Sequence, residues 1–210
     1  MAEAAFLELP YPEAGIVDEG SLTEQSLALA ASLPERPLVL GGCCCAHVGA
    51  VEGLATRHDR LGVVWFDAHG DLNTPETSPS GNAWGMPLRA LIDSGTVDPR
   101  DVVLVGARNL DPPEEEFITA TGLHTGERGL EQALEGVDAV YVALDCDVLD
   151  PDEDIVSFMP EPGGLTITET ASILREVAAV RPVAGAGVTG LAPAPANAEP
   201  LARLISALGL

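Results

Sequence analysis

Short apolar runs alternate with amphipathic stretches along most of the chain, and this alternation predicts strands that take turns with helices. The apolar runs that we interpret as buried strands are Pro37–Leu40, Val63–Phe66, Asp101–Gly106, Tyr141–Leu144 and Val183–Thr189. Because helices are predicted between consecutive strands, the pattern favours a parallel sheet with helices packed on it, which is an α/β fold.

The helices are predicted from apolar residues at helical spacing and from signals for helix starts. Ser21 and Glu24 form a capping box, and Thr166 caps a later helix. The predicted helices are Ser21–Leu33, Cys45–His58, Trp84–Ser94, Glu115–Thr121, Leu130–Leu134, Thr168–Val180 and Glu199–Leu208. Residues 1–20 show little periodicity, so we interpret them as a loop that docks on the body of a single domain, residues 1–210.

Acidic residues and one histidine follow two of the predicted strands at every second position. Asp67, His69 and Asp71 follow the second strand, and Asp145 and Asp147 follow the fourth. In extended backbone, side chains two positions apart point to the same side, and sites in parallel sheets form beyond the carboxyl ends of the strands. The five residues therefore predict a site for divalent cations. The alternative, that each acid only caps a turn, accounts poorly for both clusters.

Composition changes this picture mainly through charge. The chain has 210 residues, of which 46% are hydrophobic, and this is enough for one domain with a full core. Ten Lys and Arg against 33 Asp and Glu give a net charge of −23, and such a surface repels nucleic acid and anionic membranes. We expect neither as a partner.

The expected compartment is the cytoplasm. The N-terminus lacks the pattern of a signal peptide, and no apolar run approaches the roughly 18 residues that cross a membrane. Three of the four cysteines are consecutive, at Cys43–Cys45. Consecutive cysteines form a poor disulfide framework, so we expect them to be thiols in a reducing compartment.

Four motifs resemble those of the arginase, agmatinase and formiminoglutamase family, the ureohydrolases. The family has a Gly-Gly-Asp-His-type turn, then Asp-Ala-His-x-Asp-x-Asn, a Ser-Gly-Asn loop, and Asp-x-Asp-x-Leu-Asp-Pro. The matching stretches here are Gly41–Cys44, Asp67–Asn73, Ser80–Asn82 and Asp145–Pro151. The resemblance runs from about Leu38 to Pro193 and implies an arginase-like three-layer α/β/α sandwich with a mostly parallel central sheet.

The resemblance also implies two bound Mn²⁺ ions and a hydroxide that attacks a guanidinium or formimino carbon. Asp67 and Asp145 would bridge the ions, and Asp71 would also hydrogen-bond the hydroxide and carry its proton. The metal ligands that the resemblance implies are Asp67, His69, Asp71, Asp145, Asp147 and Cys44.

Cys44 departs from the family, because this position more often holds His. A thiolate is soft, whereas Mn²⁺ prefers oxygen and imidazole. Cys44 could ligate a thiophilic ion, leave a weak first site, or be a small buried residue without a ligand role. We favour the weak first site. Binding of a single ion instead of two, or of a divalent metal other than Mn²⁺, therefore stays open. His47 could substitute as a ligand, although a packed His is the commoner case, and Cys43 replaces the Asp of the same turn.

The substrate side of the resemblance implies a small molecule that is like an amino acid. Asn73 and Ser80 match positions that hold an α-carboxylate, and Asn82 lies in the same loop. Asp111 and Glu114 match acids that hold an α-amino group. The family resemblance further implies a homo-oligomer, a trimer or a hexamer.

Two residues depart from the chemistry of the family. Trp84 stands where a His shuttles protons, and indole neither gains nor releases a proton near neutrality. Gly190 stands where a Glu pairs with the guanidinium. Family members also carry a further strand ahead of what is here Phe6. We therefore expect impaired arginase activity.

Three functional hypotheses stay open. The first is a hydrolase of linear C–N bonds in guanidino or formimino compounds. The second is an inactive relative that binds metal or ligand, or serves as a regulatory subunit. The third and least favoured is a deacetylase of the same architecture, because the Ser-Gly-Asn loop and the Asp-x-Asp-x-Leu-Asp-Pro run are typical of ureohydrolases.

Overall fold

The computed structural model describes residues 9–18 and 20–210, and a six-stranded sheet lies at its centre. Every strand pairs in parallel with its neighbours, in the order β1-β6-β5-β2-β3-β4. The strands are β1 (Leu38–Leu40), β2 (Leu61–Phe66), β3 (Val102–Val105), β4 (His124–Thr125), β5 (Ala139–Asp145) and β6 (Val183–Thr189). The predicted α/β fold with a mostly parallel sheet is confirmed.

Helices lie between the strands and after the last one. Both sides of the predicted capping box are present, since Ser21 Oγ accepts from Glu24 N and Glu24 accepts from Ser21 N. Thr166 caps its helix in the same way, with Glu169 as its partner. The α-helices of the described residues are α1 (Leu22–Ser32), α2 (Ala46–Ala55), α3 (Pro87–Asp93), α4 (Pro112–Thr121), α5 (Leu130–Ala133), α6 (Ile167–Val180) and α7 (Ala198–Ala207).

A hydrophobic core covers each face of the sheet, because successive residues of a strand point to opposite sides. In β2, Val64 and Phe66 pack into a core with residues of α5, α6 and α7. Val63 and Trp65 pack into the other core with residues of α2 and α3. The molecule therefore has the three layers that the sequence predicts.

Several element boundaries differ from the predicted ones. Strand β4 was missed, since its two residues on the edge beside β3 are too few to give a periodic signal. The helix predicted to begin at Trp84 is instead a 3₁₀ turn, Ala83–Gly85, followed by α3 from Pro87. Helix α4 likewise begins at Pro112 rather than Glu115, because proline suits the first turn of a helix.

The strand order reverses at the centre of the sheet. From β2 the chain proceeds through β3 and β4 to one edge, and β5 and β6 then lie on the other side of β2. Phe66 of β2 is in register with Leu144 of β5, so Asp67 and Asp145 end their strands side by side. Ligand sites of open α/β sheets form at such a reversal.

Residues 9–18 form neither helix nor strand, and Leu9 and Tyr11 pack against the core that contains α6 and α7. The predicted docking of the N-terminal loop is thus observed for these two residues, whereas residues 1–8 and 19 of that loop, with the stretch around Phe6, lie outside the described residues. Strand β1 forms one edge of the sheet. Of the helices in the described residues, none combines the length and the apolar character needed to cross a membrane.

Candidate metal centre

Three buried side chains converge beyond the ends of β1 and β2. Cys44 lies in the turn between β1 and α2, and Asp67 and Asp71 follow β2. Their sulfur and carboxylate oxygen atoms lie within 4.8 Å of one another. We call these three residues the inner group.

A second set of possible ligands adjoins the first and shares Asp67 with it. Asp67, His69 and Asp147, which we call the outer group, also place one ligand atom each within 4.8 Å of the others. His69 Nδ1 is 3.2 Å from Asp67 Oδ1 and 3.1 Å from Asp147 Oδ2. Asp67 Oδ2 faces the other way, 3.6 Å from Cys44 Sγ. The two oxygens of Asp67 therefore face different groups, as a bridging carboxylate requires.

Asp145 lies beside both groups and its carboxylate is engaged by neighbours. Asp145 Oδ2 is 3.0 Å from Cys44 Sγ and accepts a hydrogen bond from Thr189 Oγ1 at 2.9 Å. Its Oδ1 accepts from the backbone N–H of Asp147 at 3.0 Å. The structure thus places all six residues that the sequence proposed as metal ligands in one cluster, and ligation itself stays a prediction.

Asp71 combines an unfavourable backbone conformation with a buried carboxylate oxygen that lacks a hydrogen-bond partner among the described residues. It is the one non-glycine residue with a left-handed backbone in residues 9–18 and 20–210, with φ of 53°. Its side chain is buried, and Oδ2 has no hydrogen-bond partner among the described residues. An unpaired buried acceptor costs about 1–3 kcal/mol, and more when it is charged. A cation in the inner group would supply the missing partner, so the residues fit a divalent ion.

The electrostatics of the cluster indicate an excess of buried negative charge. Burial raises the pKa of Asp67 to about 7, and the neighbouring charges of Asp145 and Asp147 add to this rise. Burial and nearby carboxylates also raise the pKa of Asp71 and that of Asp145. Desolvation and like charge both disfavour the ionised carboxylate, and a bound cation removes this penalty.

We expect the metal-free protein to lose stability as the pH rises. Asp67 binds a proton in the folded state up to about pH 7, whereas the unfolded Asp loses it near pH 4. Hydrogen bonds to Asp147 and Asp67 raise the pKa of His69 to about 11, so its stabilising charge is also lost only on the alkaline side. The folded state therefore binds more protons than the unfolded state, and the free energy of unfolding falls with pH.

The measurement is the melting temperature in the presence of a chelator from about pH 5 to about pH 8, repeated with excess Mn²⁺. A cation competes with protons for the same side chains, so its stabilising effect is expected to increase with pH. A chelated protein whose melting temperature rises steadily over this range would contradict the prediction.

Arg108 holds the loops of the site together, a role that the sequence did not indicate. Its guanidinium donates to the backbone carbonyls of Asp147 and Glu161, each at 2.7 Å. It also donates to the carbonyls of Gly106, Val148 and Pro162. Glu161 in turn places Oε1 3.7 Å from His69 Nε2, on the side of the ring away from the outer group. Arg108 thereby fixes the backbone of the proposed ligand Asp147. It also fixes the backbone of Glu161, whose side chain lies beside the proposed ligand His69.

Arg108→Lys is expected to lower Mn²⁺ affinity by about 10- to 100-fold, the usual effect of losing a partner that supports a ligand. Lysine keeps the charge but lacks the planar set of donors that reaches several carbonyls at once. Calorimetric titration with Mn²⁺ measures the effect. The control is Arg100→Lys, since Arg100 is exposed and pairs with Asp98 on the surface. Equal affinities of the two variants would contradict the proposed role of Arg108.

His47 is packed in the core and does not lie in either ligand group. Its Nδ1 is 2.9 Å from the hydroxyl of Tyr141, and Nε2 is 3.2 Å from Thr189 Oγ1. Burial lowers the pKa of His47 to about 3, so the ring is neutral. Because both nitrogens have partners, the packed interpretation of His47 is preferred to that of a substitute ligand.

The residues proposed to bind substrate lie at three places, and each makes its own hydrogen bonds. Asn73 Nδ2 donates to Asp111 Oδ2 at 2.8 Å, so these two side chains are together. Ser80 and Asn82 lie on the loop that follows, where Asn82 N donates to Ser80 Oγ at 3.2 Å. Glu114 is 3% exposed, and its oxygens accept from the backbone N–H groups of Leu72 and Asp111. These bonds tie the loop after β2 to α4, and the predicted contact of Glu114 with substrate stays a prediction.

The two departures from the family chemistry occupy different settings. Trp84 lies on the 3₁₀ turn before α3 and is 45% exposed. Gly190 follows β6 with φ of +71°, and a Cβ at this position would collide with the Asp145 carboxylate. A side chain at 190 is therefore incompatible with the present position of Asp145.

Comparison with known proteins agrees with the fold and the motifs. Residues 18–209 match the family model described as the arginase family. The chain belongs to the arginase family. The resemblance inferred from the sequence motifs is therefore confirmed.

Individual relatives of this arginase-family chain are arginases. It is 40% identical over 160 residues to an arginase of Bacillus caldovelox, and this match covers 64% of this chain and 54% of that protein. It is 35% identical over 180 residues to an arginase of Staphylococcus aureus (strain COL), which covers 74% of this chain and 60% of the relative. The crystal structure of arginase from Bacillus subtilis has a TM-score of 0.85 and 27% identity, covering 99% of this chain and 87% of that one. The matches thus span little more than half the length of the curated relatives.

Proposed function

We propose that this arginase-family protein is a metal-dependent hydrolase of linear C–N bonds in guanidino or formimino compounds that resemble amino acids. The observation that carries the proposal is Asp67, whose two oxygens face two groups of ligand atoms at the reversal of the strand order. Carboxylates in this position hold pairs of divalent ions, and such pairs supply a hydroxide at neutral pH and polarise the bond to be cleaved.

The side chains divide the binding work between the two groups. Cys44, Asp67 and Asp71 would hold one ion, and Asp67, His69 and Asp147 the other. Asp145 would bridge both after a change of its carboxylate contacts. The outer group offers only carboxylate and imidazole donors, which suit Mn²⁺. We therefore propose Mn²⁺ for the outer group.

Asp71 is the proposed proton carrier of the reaction. Burial raises its pKa, which makes its carboxylate a better proton acceptor than an exposed Asp. Its Oδ2, which has no hydrogen-bond partner among the described residues, would be occupied by the inner ion, so the other carboxylate oxygen would accept the proton of the attacking nucleophile. Asp71→Asn removes the base and weakens an inner-group ligand while it keeps the size of the side chain, so the metal content of this variant is measured beside its activity.

The proposed amino-acid character of the substrate is supported by the loop after β2. Ser80 and Asn82 lie on its exposed part and offer donors to a carboxylate, and the Asn73–Asp111 pair lies near its start. Asp111 would accept from an amino group. We propose a small zwitterionic substrate for this site.

A second candidate function is metal or ligand binding without turnover. Trp84 and Gly190 favour it, because losing an acid–base group typically lowers a rate by about 10²–10⁴-fold. Slow hydrolysis is therefore the expected form of the first function. A protein that binds Mn²⁺ and releases no product has the second function.

The test is an assay of the Mn²⁺-loaded protein with guanidino and formimino compounds, with and without an α-amino-acid end. Release of urea, ammonia or formamide by the native protein and its loss in Asp71→Asn would support hydrolysis. Activity that appears only in Trp84→His would support the binding function of the native chain. If elemental analysis found no divalent cation bound under any condition, metal-dependent hydrolysis and metal binding would both be excluded.

A further inference from the structure

The inner and outer groups differ in the chemical softness of their donors. The inner group contains the sulfur of Cys44, and the outer group contains only oxygen and nitrogen atoms. Thiolates favour zinc and similar borderline cations, whereas carboxylates suit manganese. Two groups that share one bridging carboxylate therefore present unlike sites to a mixture of metals.

The surroundings of Cys44 Sγ are those of a ligand rather than of an inert core thiol. Cys44 is 6% exposed, and its sulfur lies 3.0 Å from Asp145 Oδ2, 3.6 Å from Asp67 Oδ2 and 3.4 Å from Thr189 Oγ1. Both cysteines belong to a hydrophobic core, Cys44 to that of α2 and α3 and Cys146 to that of α6 and α7, but the Cys146 sulfur makes no hydrogen bond among the described residues. Burial alone thus does not account for the position of the Cys44 sulfur.

The inner group also contains a buried carboxylate oxygen that lacks a hydrogen-bond partner among the described residues and that a cation would stabilise. This oxygen is Oδ2 of Asp71, and the group contains it together with the Cys44 sulfur and the shared Asp67. The donor set that a cation would meet there is one sulfur with carboxylate oxygens, and zinc accepts both of these donor types as ligands. Zn²⁺ already binds most sites more tightly than Mn²⁺, and a sulfur ligand enlarges this difference.

We infer that the inner group selects a thiophilic divalent cation of the Zn²⁺ type, while the outer group takes Mn²⁺, so that the chain holds an unlike pair of ions. This inference rests on the proposed function, since it assumes that both groups bind metal. On binding, the Cys44 thiol loses its proton to solvent and a sulfur–metal bond forms, with no change in oxidation state. Cys44 is the residue that determines the preference.

The first experiment uses Co²⁺ as a spectroscopic probe on the full, metal-free chain. A sulfur ligand gives a sulfur-to-cobalt charge-transfer absorption in the near ultraviolet, which oxygen and nitrogen ligands do not give. We expect the band in the native protein and its loss in Cys44→Ser. The matched control is Cys146→Ser, another buried thiol, and the Cys43→Ser/Cys45→Ser double variant tests the neighbours. Both controls are expected to keep the band.

The second experiment measures the preference itself by equilibrium with both metals. With manganese in large excess over zinc, which offsets the generally tighter binding of zinc, the native chain is expected to retain about equal amounts of the two metals by elemental analysis. Even partners outside the ligand shell change metal affinity by 10- to 100-fold, so Cys44→Ser is expected to lower the zinc affinity of the inner group by at least about 10-fold. If that variant fails to fold, X-ray absorption of the native zinc-loaded chain decides, through a zinc–sulfur distance of about 2.3 Å.

The outcomes separate this inference from the proposed function. Cobalt binding without the charge-transfer band, or a zinc spectrum with only oxygen and nitrogen neighbours, overturns the inference. So does a band that is lost in the Cys43→Ser/Cys45→Ser variant and kept in Cys44→Ser. A native chain that retains only manganese after equilibration with both metals, and that hydrolyses substrate, overturns the inference and leaves the proposed function standing. Failure of the chain to bind any cation overturns both.

Discussion

Asp67→Asn is expected to abolish metal binding in both ligand groups and with it all hydrolysis. Asp67 is the one residue that the inner and outer groups share, so its loss affects both. The amide has a single oxygen, which cannot face Cys44 and His69 at the same time. Since a metal ion contributes several kcal/mol to stabilising the transition state, the rate is expected to fall by about 10³-fold or more. Calorimetric titration and the product assay measure the two effects.

The same substitution is expected to stabilise the metal-free protein at neutral pH. Burial raises the pKa of Asp67 to about 7, so the ionised form is unfavourable in the folded state, and Asn carries no charge. Asp101→Asn provides the contrast, because Asp101 is equally buried but has Arg60 as its partner, at 2.6 Å and 2.7 Å. Asp101→Asn is expected to lower the free energy of unfolding. An Asp67→Asn variant that still binds two ions, or that loses as much stability in chelator as Asp101→Asn, would contradict this account.

The direction of the site side chains could be predicted from local sequence. The alternation of Asp67, His69 and Asp71 after an apolar run specifies that they leave one strand end, and this depends only on backbone geometry. The neighbouring position of β2 and β5 could not be obtained in this way. It depends on the order of strands that lie about 80 residues apart in the chain, for which the family resemblance was needed.

The contribution of Arg108 could not be predicted, for a physical reason. Its acceptors are backbone carbonyls, which every residue possesses, and four of the five lie 39 to 54 positions away in the chain. Because any residue supplies a backbone carbonyl, the sequence contains no residue type that identifies the acceptors of Arg108. Strand β4 was missed for a related reason, because two residues on the edge of a sheet form a strand through their pairing with β3 rather than through their own pattern.

The sequence marked Gly190 as the loss of a charged residue, and the structure adds why a glycine stands there. The backbone has φ of +71°, and the space that a side chain would fill is occupied by the Asp145 carboxylate. The Gly190 carbonyl also accepts hydrogen bonds from Phe158 N and Ser157 Oγ, which hold this turn against the loop after β5. The absence of a side chain at position 190 is therefore tied to the position of Asp145 and to the backbone conformation of this turn.

Gly190→Ala is accordingly expected to lower metal affinity as well as stability. A left-handed backbone costs a residue with a Cβ about 1–2 kcal/mol, and the contact with Asp145 adds to this cost. Gly122→Ala is the matched control, since Gly122 has φ of +73° and open space around its Cβ position. Both variants are expected to lower the free energy of unfolding in urea, Gly190→Ala by more. Only Gly190→Ala is expected to weaken metal binding, by about 10-fold or more, because it displaces Asp145.

Equal metal affinities of these two variants would show that Asp145 moves away from position 190 without consequence for the site. If the expected difference is found, Gly190→Glu cannot serve to restore the family chemistry, because the larger side chain meets the same carboxylate. Trp84→His is then the variant that tests the lost proton shuttle. Trp84 lies on an exposed turn, where a smaller ring is accommodated without displacing a buried neighbour. A gain of activity in Trp84→His alone would therefore attribute the impairment to proton transfer rather than to the missing side chain at Gly190.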